Sequence, residues 1–341
     1  MKTVFVALSG GVDSSVAAAL LKESGLEVVG VHIVCWDGCE QGDERRDALR
    51  VALDLGIPFL TFDLREAYKK HVFDYMVREY AAGQTPNPDS MCNREIKFGV
   101  ALEQAVGLGA DYFATGHYAR LRFEDGETHI HEGNDSLKDQ SYFLWPLAKH
   151  KLKRCLFPLG GYTKARVRAV AGRLKLSTAE KKDSQGLCFI GKVDFGYFLR
   201  GYLPGREGVI VTSQGEIVGK HDGAWFYTIG QRHGLGIGGG IPYYVAEKDT
   251  RTNTLVVGIG PEDPILYKKE IFVNDLNWLA DVDDGPCELR IRYRQSRVPA
   301  LVTKENGRVR VRFQVPQRGV APGQSAVFYL GTKLLGGGII A

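Results

Sequence analysis

The stretch Leu8–Ser15 constrains the fold most strongly, because it joins an apolar run to an alanine-rich amphipathic run through two consecutive glycines. This order predicts a buried strand, a tight turn and the first turn of a helix. Gly10 and Gly11 let the backbone approach a ligand closely, and the free amides of the helix N-terminus favour a bound phosphate. The loop lacks the Gly-Lys-Ser/Thr sequence with which other phosphate loops hold a γ-phosphate. A turn capped by Asp13 or Ser14, with no ligand, is the alternative for this stretch.

Strand and helix patterns alternate from Lys2 to about Thr115. The strands are predicted at Thr3–Leu8, Val28–Val34, Phe59–Asp63 and Tyr112–Thr115, and the helices near Asp13–Ser24, Glu44–Leu55, Arg65–Ala82 and Glu95–Leu108. This alternation predicts an α/β fold whose N-terminal part is a doubly wound, Rossmann-like parallel sheet. Because ligands bind at the carboxyl ends of such strands, we expect the glycine loop and Thr115-Gly116-His117 at the ligand-binding edge.

The pattern changes after about residue 118. A hairpin is predicted at Ala119–Glu124 and Thr128–Gly133, and a helix at Thr163–Leu174. Beyond Gly201, short strands separated by glycine-rich turns predict two mainly β modules, the last a small barrel or sandwich, of which we favour the barrel. Boundaries near Gly201 and Lys268 divide the chain into an N-terminal domain with a helical insert, a small central β domain and a C-terminal β-barrel, at residues 1–200, 201–268 and 269–341.

The cysteine content and the hydropathy indicate the compartment. Six cysteines among 341 residues are too few for a disulfide framework, which indicates a reducing environment. No apolar run approaches the length of a membrane span, and the start of the chain leads directly into the first strand without a signal-peptide pattern. We therefore expect a cytoplasmic protein that has no membrane partner.

Two cysteines lie in sequence surroundings that favour a reactive thiolate. Cys92 follows a proline-stiffened approach and two candidate helix caps, Asp89 and Ser90. We therefore expect its sulfur in the first turn of a helix, where the dipole lowers the pKa of a thiol. Cys188 follows two lysines in a segment predicted to be a mobile, electropositive loop, which favours the same chemistry. The alternative for each is a buried, inert cysteine, which is our interpretation of Cys155.

Eight motifs resemble those of one group of enzymes. SGGVDSS resembles the pyrophosphate loop of the ATP pyrophosphatase superfamily. Seven further motifs resemble the tRNA-specific 2-thiouridylase family within it, in the order TPNPDSMCN, ATGHY, KDQSYFLW, KKDSQGLCFIG, YTIGQRHGLGIGG, RYRQ and PGQSAVFY. Together they span nearly the whole chain. The resemblance implies an enzyme that uses ATP to adenylate the wobble uridine, position 34, of lysine, glutamate and glutamine tRNAs. It would exchange the C2 oxygen of that base for sulfur and release AMP and pyrophosphate.

The resemblance also implies roles for individual residues. ATP would contact Ala7, Leu8, Ser9, Gly10, Gly11, Val12, Asp13, Ser14, Ile33 and Gly116, and Asp13 is the candidate ligand for magnesium. The target base would meet Asn87, Pro88 and Asp89. The rest of the tRNA would contact His117, Lys138, Asp139, Gln140, Arg292, Tyr293 and Gln324.

Sulfur transfer is implied to use two cysteines, with Asp89 as a third catalytic residue. Cys188 would receive a persulfide from a sulfur-carrier protein or a cysteine desulfurase relay, and Cys92 would release the sulfur by forming a disulfide with Cys188. A rival mechanism places these three residues on three irons of a [4Fe-4S] cluster, and it ranks second because four thiolates are the usual ligands. Two other functions compete with thiolation: a pyrophosphate-loop ligase acting on a small metabolite, and a non-catalytic RNA-binding protein.

Arginines near the C-terminus predict an RNA-binding surface. They alternate with apolar residues in 290–294 and 308–313, which on strands of period two places three arginines per strand on one face. Pairing of these two strands would form a patch matched to phosphates. The alternative is a solvated barrel face whose charges discourage aggregation.

Two pairs of polar residues are interpreted from the elements that carry them. Lys164 and Arg166 lie in the first turn of a predicted helix, where they oppose its dipole, and we assign them to the tRNA surface. His129 and His131 share one face of the predicted hairpin, and we interpret them as surface residues rather than metal ligands.

Overall fold

Residues 1–36, 41–182 and 195–341 are described by the computed structural model of the chain. Up to residue 182, the strands are β1 (Thr3–Ala7), β2 (Glu27–Val34), β3 (Phe59–Asp63), β4 (Tyr112–Ala114), β5 (Ala119–Glu124), β6 (Glu127–Glu132) and β7 (Cys155–Leu156). The helices are α1 (Val12–Glu23), α2 (Gln41–Leu55), α3 (Arg65–Tyr68, Lys69–Phe73 and Asp74–Ala81), α4 (Pro88–Met91, Cys92–Ala101 and Leu102–Gly107), α5 (Lys164–Arg173) and α6 (Phe195–Arg200). The middle segments of α3 and α4 are wound as π-helices, and short 3-10 turns lie at Ser141–Phe143 and Lys149–Arg154.

Strand β1 lies at the centre of a five-stranded parallel sheet of order β3-β2-β1-β4-β7. On one face, Val4 and Val6 share a core with residues of α1 and α2, and on the other Phe5 shares a core with residues of α3 and α4. The predicted doubly wound α/β sheet is therefore confirmed. Because the chain continues from β1 to β2 and β3 and then returns to β4 beside β1, the strand order reverses between β1 and β4. The crevice at such a reversal is where open α/β sheets bind ligands.

Helix α4 begins earlier than its predicted start at Glu95. Asn87 is the N-cap, since its Oδ1 accepts a hydrogen bond from the Ser90 amide at 3.2 Å, and Pro88 occupies the first helical position. The predicted cap at residue 89 or 90 is wrong, because proline with its fixed φ favours the first position of a helix and the cap must precede it. Cys92 consequently lies in the second turn of α4 rather than the first, where the helix dipole acts more weakly on its thiol.

The remainder of the chain forms two β structures. A four-stranded sheet of order β10-β11-β8-β9 contains β8 (Gly208–Thr212), β9 (Ile217–His221), β10 (Tyr243–Asp249) and β11 (Thr254–Ile259). The last strands are β12 (Tyr267–Trp278), β13 (Gly285–Arg290), β14 (Val298–Glu305), β15 (Arg308–Arg318), β16 (Ser325–Leu330) and β17 (Lys333–Ile340). They close into a six-stranded barrel, because β12 pairs with both β15 and β17. Leu289, Val309 and Phe328 lie in its apolar interior, so the predicted barrel is confirmed.

The predicted hairpin, β5 and β6, lies between the first sheet and the barrel. Strand β6 pairs with β5 along its length and touches β17 of the barrel through the register pair His131 and Lys333. The N-terminal domain is therefore joined to the barrel through β pairing, which the sequence pattern did not predict. Within the described ranges, no helix has the length and apolar character needed to cross a membrane.

Candidate functional site

The glycine loop between β1 and α1 occupies the crevice where the strand order reverses. Gly10 has a φ of +69°, and a Cβ there would lie 2.5 Å from the Glu44 carbonyl oxygen, so the turn and the close packing both require glycine. Gly11 is the N-cap of α1 and supplies no side-chain cap to the helix amides. Leu8 and Val12 flank the loop and are buried, so only their backbones can face a ligand. The first amides of α1 thus receive no side-chain cap, and anion binding by them stays a prediction.

The serine hydroxyls of the loop hold its shape. The Ser14 hydroxyl accepts a hydrogen bond from the Ser9 amide at 3.2 Å and donates to the Gly11 carbonyl at 3.1 Å. The Ser15 hydroxyl donates to the same carbonyl at 2.8 Å and accepts from Thr178 at 3.0 Å. Ser14 and Ser15 are buried, so their hydroxyls brace the loop from within in this conformation.

Gly116, two residues beyond the end of β4, contacts the first turn of α1. A Cβ at this position would lie 2.9 Å from the Ser14 amide nitrogen and 3.0 Å from the Asp13 carbonyl carbon. Glycine at 116 therefore lets the end of β4 approach the glycine loop. The structure thus brings together the loop and Gly116, which the resemblance assigned to one nucleotide site.

Asp13 is held by two side chains from later in the chain. Lys164 Nζ lies 2.7 Å and 2.8 Å from the two carboxylate oxygens, and the Tyr118 hydroxyl donates to Oδ1 at 2.6 Å. Lys164 therefore lies beside the glycine loop, whereas we expected it on a tRNA surface with Arg166. The sequence predicted that Lys164 opposes the dipole of its own helix, but its pairing with Asp13 could not be inferred from the sequence. Tyr118 was missed, although it ends the ATGHY motif.

His117 and Ile33 lie in the interior at the same edge of the sheet. His117 is buried, and its Nδ1 lies 2.6 Å from the Thr115 hydroxyl. Burial, with a contribution from the Lys97 charge, holds the pKa of His117 well below its usual value, so the ring is neutral at physiological pH. Ile33 is buried in the apolar core below β2. His117 thus reaches a bound tRNA only if the groups that cover it move.

The segment Asn87–Cys92 places the implied base-binding and catalytic residues at the start of α4. Asn87 and Cys92 are buried, with Cys92 only 1% exposed, whereas Pro88 and Asp89 are partly exposed. Cys92 belongs to the same large apolar core as Ile33 of β2. Cys188, its implied partner, lies outside the described residues.

The motif Lys138-Asp139-Gln140 connects the first sheet to the barrel. Asp139 is buried at 3% exposure, and its carboxylate accepts hydrogen bonds from Arg290 at 2.7 Å, from the Gly133 amide at 2.9 Å and from Ser141. Gln140 exchanges hydrogen bonds with the backbone of Tyr118. Asp139 and Gln140 therefore have partners inside the protein, while Lys138 is partly exposed.

The two arginine-rich stretches differ from each other. In β15, Arg308, Arg310 and Arg312 alternate with buried residues, so the predicted outward face is confirmed. Strand β13 ends at Arg290, so the predicted strand through residue 294 is wrong, and Arg294 has a φ of +62° in the turn that follows. The predicted pairing is also wrong, because β15 pairs with β12 and β14 rather than β13.

The implied tRNA contacts on the barrel lie in turns. Arg292 is exposed and donates to the carbonyl oxygens of Arg318 and Gly319. Tyr293 packs on Phe143, with their ring centroids 4.5 Å apart.

On β15, Arg310 and Arg312 lie near Glu270, with nitrogen–oxygen distances of 2.9 Å and 3.5 Å. The positive charge of this outward face is therefore partly neutralised.

Three other predicted residues can be placed. His129 and His131 are buried at 4% and 5% exposure, so their assignment to the surface is wrong; Lys333 and Glu124 lie beside them. Cys155 is buried, as predicted, and burial raises the pKa of its thiol to about 12, which disfavours the reactive thiolate. Among the residues that the structure describes, no group of three His, Cys, Asp or Glu side chains could hold a metal ion.

Known proteins resemble the chain over nearly its whole length. Three family models match consecutive parts: the tRNA methyl transferase HUP domain at residues 2–192, the tRNA methyl transferase PRC-barrel domain at 196–259 and the aminomethyltransferase beta-barrel domain at 268–340. The tRNA-specific 2-thiouridylase MnmA of Geobacillus thermodenitrificans (strain NG80-2) is 48% identical over 99% of this chain and 94% of its own length. The proteins of that name from Bacillus subtilis (strain 168) and Coxiella burnetii (strain RSA 493 / Nine Mile phase I) are 46% and 45% identical over 99% of this chain, and 94% and 98% of theirs.

A solved structure shows a more distant similarity. The U34-tRNA thiolase NcsA from Methanococcus maripaludis, with its [4Fe-4S] cluster, is 20% identical, and the match covers 59% of this chain and 64% of that chain. The TM-score is 0.39, which is too low to support a role for any residue here.

Proposed function

The chain belongs to the tRNA-specific 2-thiouridylase family, a group of tRNA sulfurtransferases, and on that premise we propose that it thiolates C2 of the wobble uridine, position 34, of lysine, glutamate and glutamine tRNAs. The reaction consumes ATP and releases AMP and pyrophosphate. Residues 1–200 would hold ATP and the target base, while residues 201–268 and 269–341 would support and bind the tRNA. The family membership supports the tRNA substrate, and the geometry of the crevice supports the use of a nucleotide.

The observation that carries the proposal is the meeting of an uncapped helix N-terminus with Gly116 at the reversal point of the sheet. The N-cap Gly11 leaves the first amides of α1 to a ligand, and the close approach of Gly116 to Ser14 leaves room there for no side chain. Such a crevice suits the pyrophosphate of ATP, which carries negative charge toward the positive end of a helix. Magnesium would neutralise part of the negative charge of the phosphates, with Asp13 as its candidate ligand.

Adenylation makes the base reactive. The C2 carbonyl of uridine is a poor electrophile because its oxygen is a poor leaving group, and transfer of AMP to that oxygen corrects this. Asn87, Pro88 and Asp89 would hold the flipped base, since an enzyme that modifies a base takes it out of its stack. Release of pyrophosphate leaves AMP on the C2 oxygen, and a sulfur nucleophile can then attack C2 and displace AMP.

Sulfur delivery would use the two cysteines. The terminal sulfur of a Cys188 persulfide attacks C2 while the Cys92 thiolate attacks the inner sulfur, so C2 gains sulfur, AMP leaves and a Cys92–Cys188 disulfide forms. A sulfur-carrier protein or cysteine desulfurase relay supplies the persulfide, and a thiol reductant of a reducing cytoplasm restores both cysteines. Because Cys92 is buried, its neighbours must move for this step.

The cluster mechanism is the second candidate. It would use Asp89 and Cys92, which are three residues apart on α4, together with Cys188. Asp89 is partly exposed at the helix start, but Cys92 lies in an apolar core, which suits a thiol better than an open cluster site. Iron and acid-labile sulfide analysis of anaerobically purified protein separates the two mechanisms.

The proposed function is tested by comparing the amounts of the three products that it predicts. Purified protein is given ATP, magnesium, a persulfide donor and unmodified tRNA, and AMP, pyrophosphate and 2-thiouridine are measured. We expect the three products in equal amounts, and we expect Cys188→Ser to abolish 2-thiouridine while Cys155→Ser, a change at a buried inert thiol, preserves it. ATP cleavage without any need for tRNA would instead indicate a ligase that acts on a small metabolite. Normal thiolation by the Cys188→Ser variant would contradict the assigned sulfur route.

A further inference from the structure

The four residues that precede Asn87 are held by the central sheet on one side. Lys248 of β10 donates to the Tyr227 carbonyl at 2.9 Å and approaches the Gln84 carbonyl at 3.4 Å. Burial lowers the pKa of Lys248 to about 8, which shows how closely the protein surrounds this amine. A Cβ at Gly83 would lie 2.9 Å from the Thr250 methyl group, so the chain enters this segment in contact with the central domain.

The barrel holds the same segment on the other side. The Thr85 amide donates to the Pro322 carbonyl at 2.8 Å. The side-chain nitrogen of Gln324 donates to the Thr85 carbonyl at 2.9 Å and lies 3.4 Å from the Pro86 carbonyl. Gly323 has a φ of +90°, and a Cβ there would lie 2.7 Å from the Thr85 nitrogen. The turn before β16 is therefore shaped to lie against residues 85 and 86.

Gln324 is itself fixed in place. The backbone amide of Gln324 donates to the Ala321 carbonyl at 3.2 Å, and its backbone carbonyl accepts from the Ile340 amide at 2.8 Å. Both backbone polar groups of Gln324 are therefore bonded within the barrel. The turn that leads to it is tied down at Gly319, whose carbonyl accepts from Arg292. A glutamine with an immobile backbone and a directed side-chain amide is suited to orient a neighbouring peptide.

Residues 85 and 86 lead directly into the implied base-binding residues. Asn87 caps α4, and the hydroxyl of Tyr142, which lies near Asn87, donates to the Ser325 carbonyl at 2.9 Å. Gln324 thus bonds the backbone directly before Asn87, and the next barrel residue, Ser325, bonds a tyrosine near Asn87. Since a displacement of about 1 Å in a reacting group can cost on the order of a hundredfold in rate, such contacts bear on catalysis.

We propose that Gln324 is a positioning residue, a role that rests on the proposed function. Its side-chain amide fixes the Thr85 and Pro86 carbonyls. Through these carbonyls it fixes the placement of Asn87, Pro88 and Asp89 against the target base. The resemblance assigned Gln324 to direct contact with tRNA. In the structure its donor is directed at the protein's own backbone. The barrel therefore forms part of the catalytic site as well as a tRNA-binding module.

The test replaces Gln324 with methionine, which keeps the length and volume of the side chain and removes the donor. Single-turnover thiolation at saturating tRNA should slow about ten- to a hundredfold, while the tRNA dissociation constant stays within about twofold. The matched control is Gln104→Met, which makes the same change at an exposed position near the end of α4 and should alter neither quantity. An increase in the tRNA dissociation constant with an unchanged maximal rate would overturn the proposal, as would two unchanged quantities.

Hydrogen exchange gives a readout that does not depend on activity. In the free protein, amides of the peptide covering residues 84–92 should exchange faster in Gln324→Met than in the wild type, while the Gln104→Met protein matches the wild type. Unchanged exchange in that peptide would refute the positioning role. If the wild type does not thiolate tRNA at all, the proposed function fails, and the exchange comparison still decides whether Gln324 orders the segment.

Discussion

At the scale of single residues, the structure places Lys164 beside the glycine loop. No lysine lies in the glycine loop, yet Lys164 Nζ is 2.7 Å from Asp13 in the first turn of α1. The sequence placed Lys164 in the first turn of its own helix, where its charge opposes the dipole, and α5 does begin at Lys164. The sequence could not show the partner, because 151 residues separate Lys164 from Asp13 and no local pattern records a contact over that distance.

Replacing Lys164 with methionine should weaken ATP binding about tenfold, or ~1.4 kcal/mol. The change removes a positive charge beside the phosphate site and leaves Asp13 uncompensated where an anion must bind. Calorimetric titration with ATP at fixed magnesium measures the effect. Arg166→Met is the control, since Arg166 is exposed in the same helical turn and stacks on Tyr162. Normal ATP affinity combined with weakened tRNA binding would return Lys164 to the tRNA surface.

At the scale of elements, periodicity predicted what lies within a strand or helix better than where each one ends. The alternation in 308–313 correctly predicted an outward row of arginines, because β15 continues through the whole stretch. The same alternation in 290–294 was misleading, since β13 stops at Arg290 and the next residues turn. Helix α4 likewise begins at Pro88, where a proline and a preceding asparagine outweigh the acidic and serine caps that follow.

The close approach of Gly116, which follows β4, to α1 predicts the effect of adding one methyl group at position 116. Gly116→Ala would place a Cβ 2.9 Å from the Ser14 nitrogen, so the first turn of α1 must move away. We expect a loss of about 1–3 kcal/mol in the free energy of unfolding and weaker ATP binding. Gly172→Ala is the control, because its Cβ would meet no atom within 4 Å and alanine favours a helix. Urea unfolding and ATP titration of both variants test this, and equal stability of the two would show that the loop tolerates the displacement.

At the scale of the whole molecule, the sequence predicted the parallel sheet and the barrel but not how they are joined. Strand β6 reaches the barrel strand β17, and Asp139 reaches Arg290. Both contacts link residues far apart in sequence, so neither hydrophobic pattern nor motif spacing contains them. Asp139 was assigned to tRNA through its motif, whereas its burial and bonds show a contact within the fold. The same limit applies to Gln324, whose partners lie in a different domain.

The ion pair between the N-terminal domain and the barrel predicts how strongly the two depend on each other. Arg290 contacts Glu132 and Asp139 at 2.7 Å each, with side chains that are 11%, 12% and 2% exposed. Arg290→Met should therefore lower the free energy of unfolding by about 3–5 kcal/mol, because Asp139 remains buried without this cation and Glu132 keeps only Arg297, at 3.8 Å. Burial already raises the pKa of Glu132, so in the variant this carboxylate should bind a proton more readily, and its share of the loss should shrink as the pH falls. Urea unfolding at several pH values measures this against Arg312→Met, an exposed pair expected to cost under about 1 kcal/mol. If both variants lose the same small amount at every pH, the ion pair does not hold the barrel to the first domain.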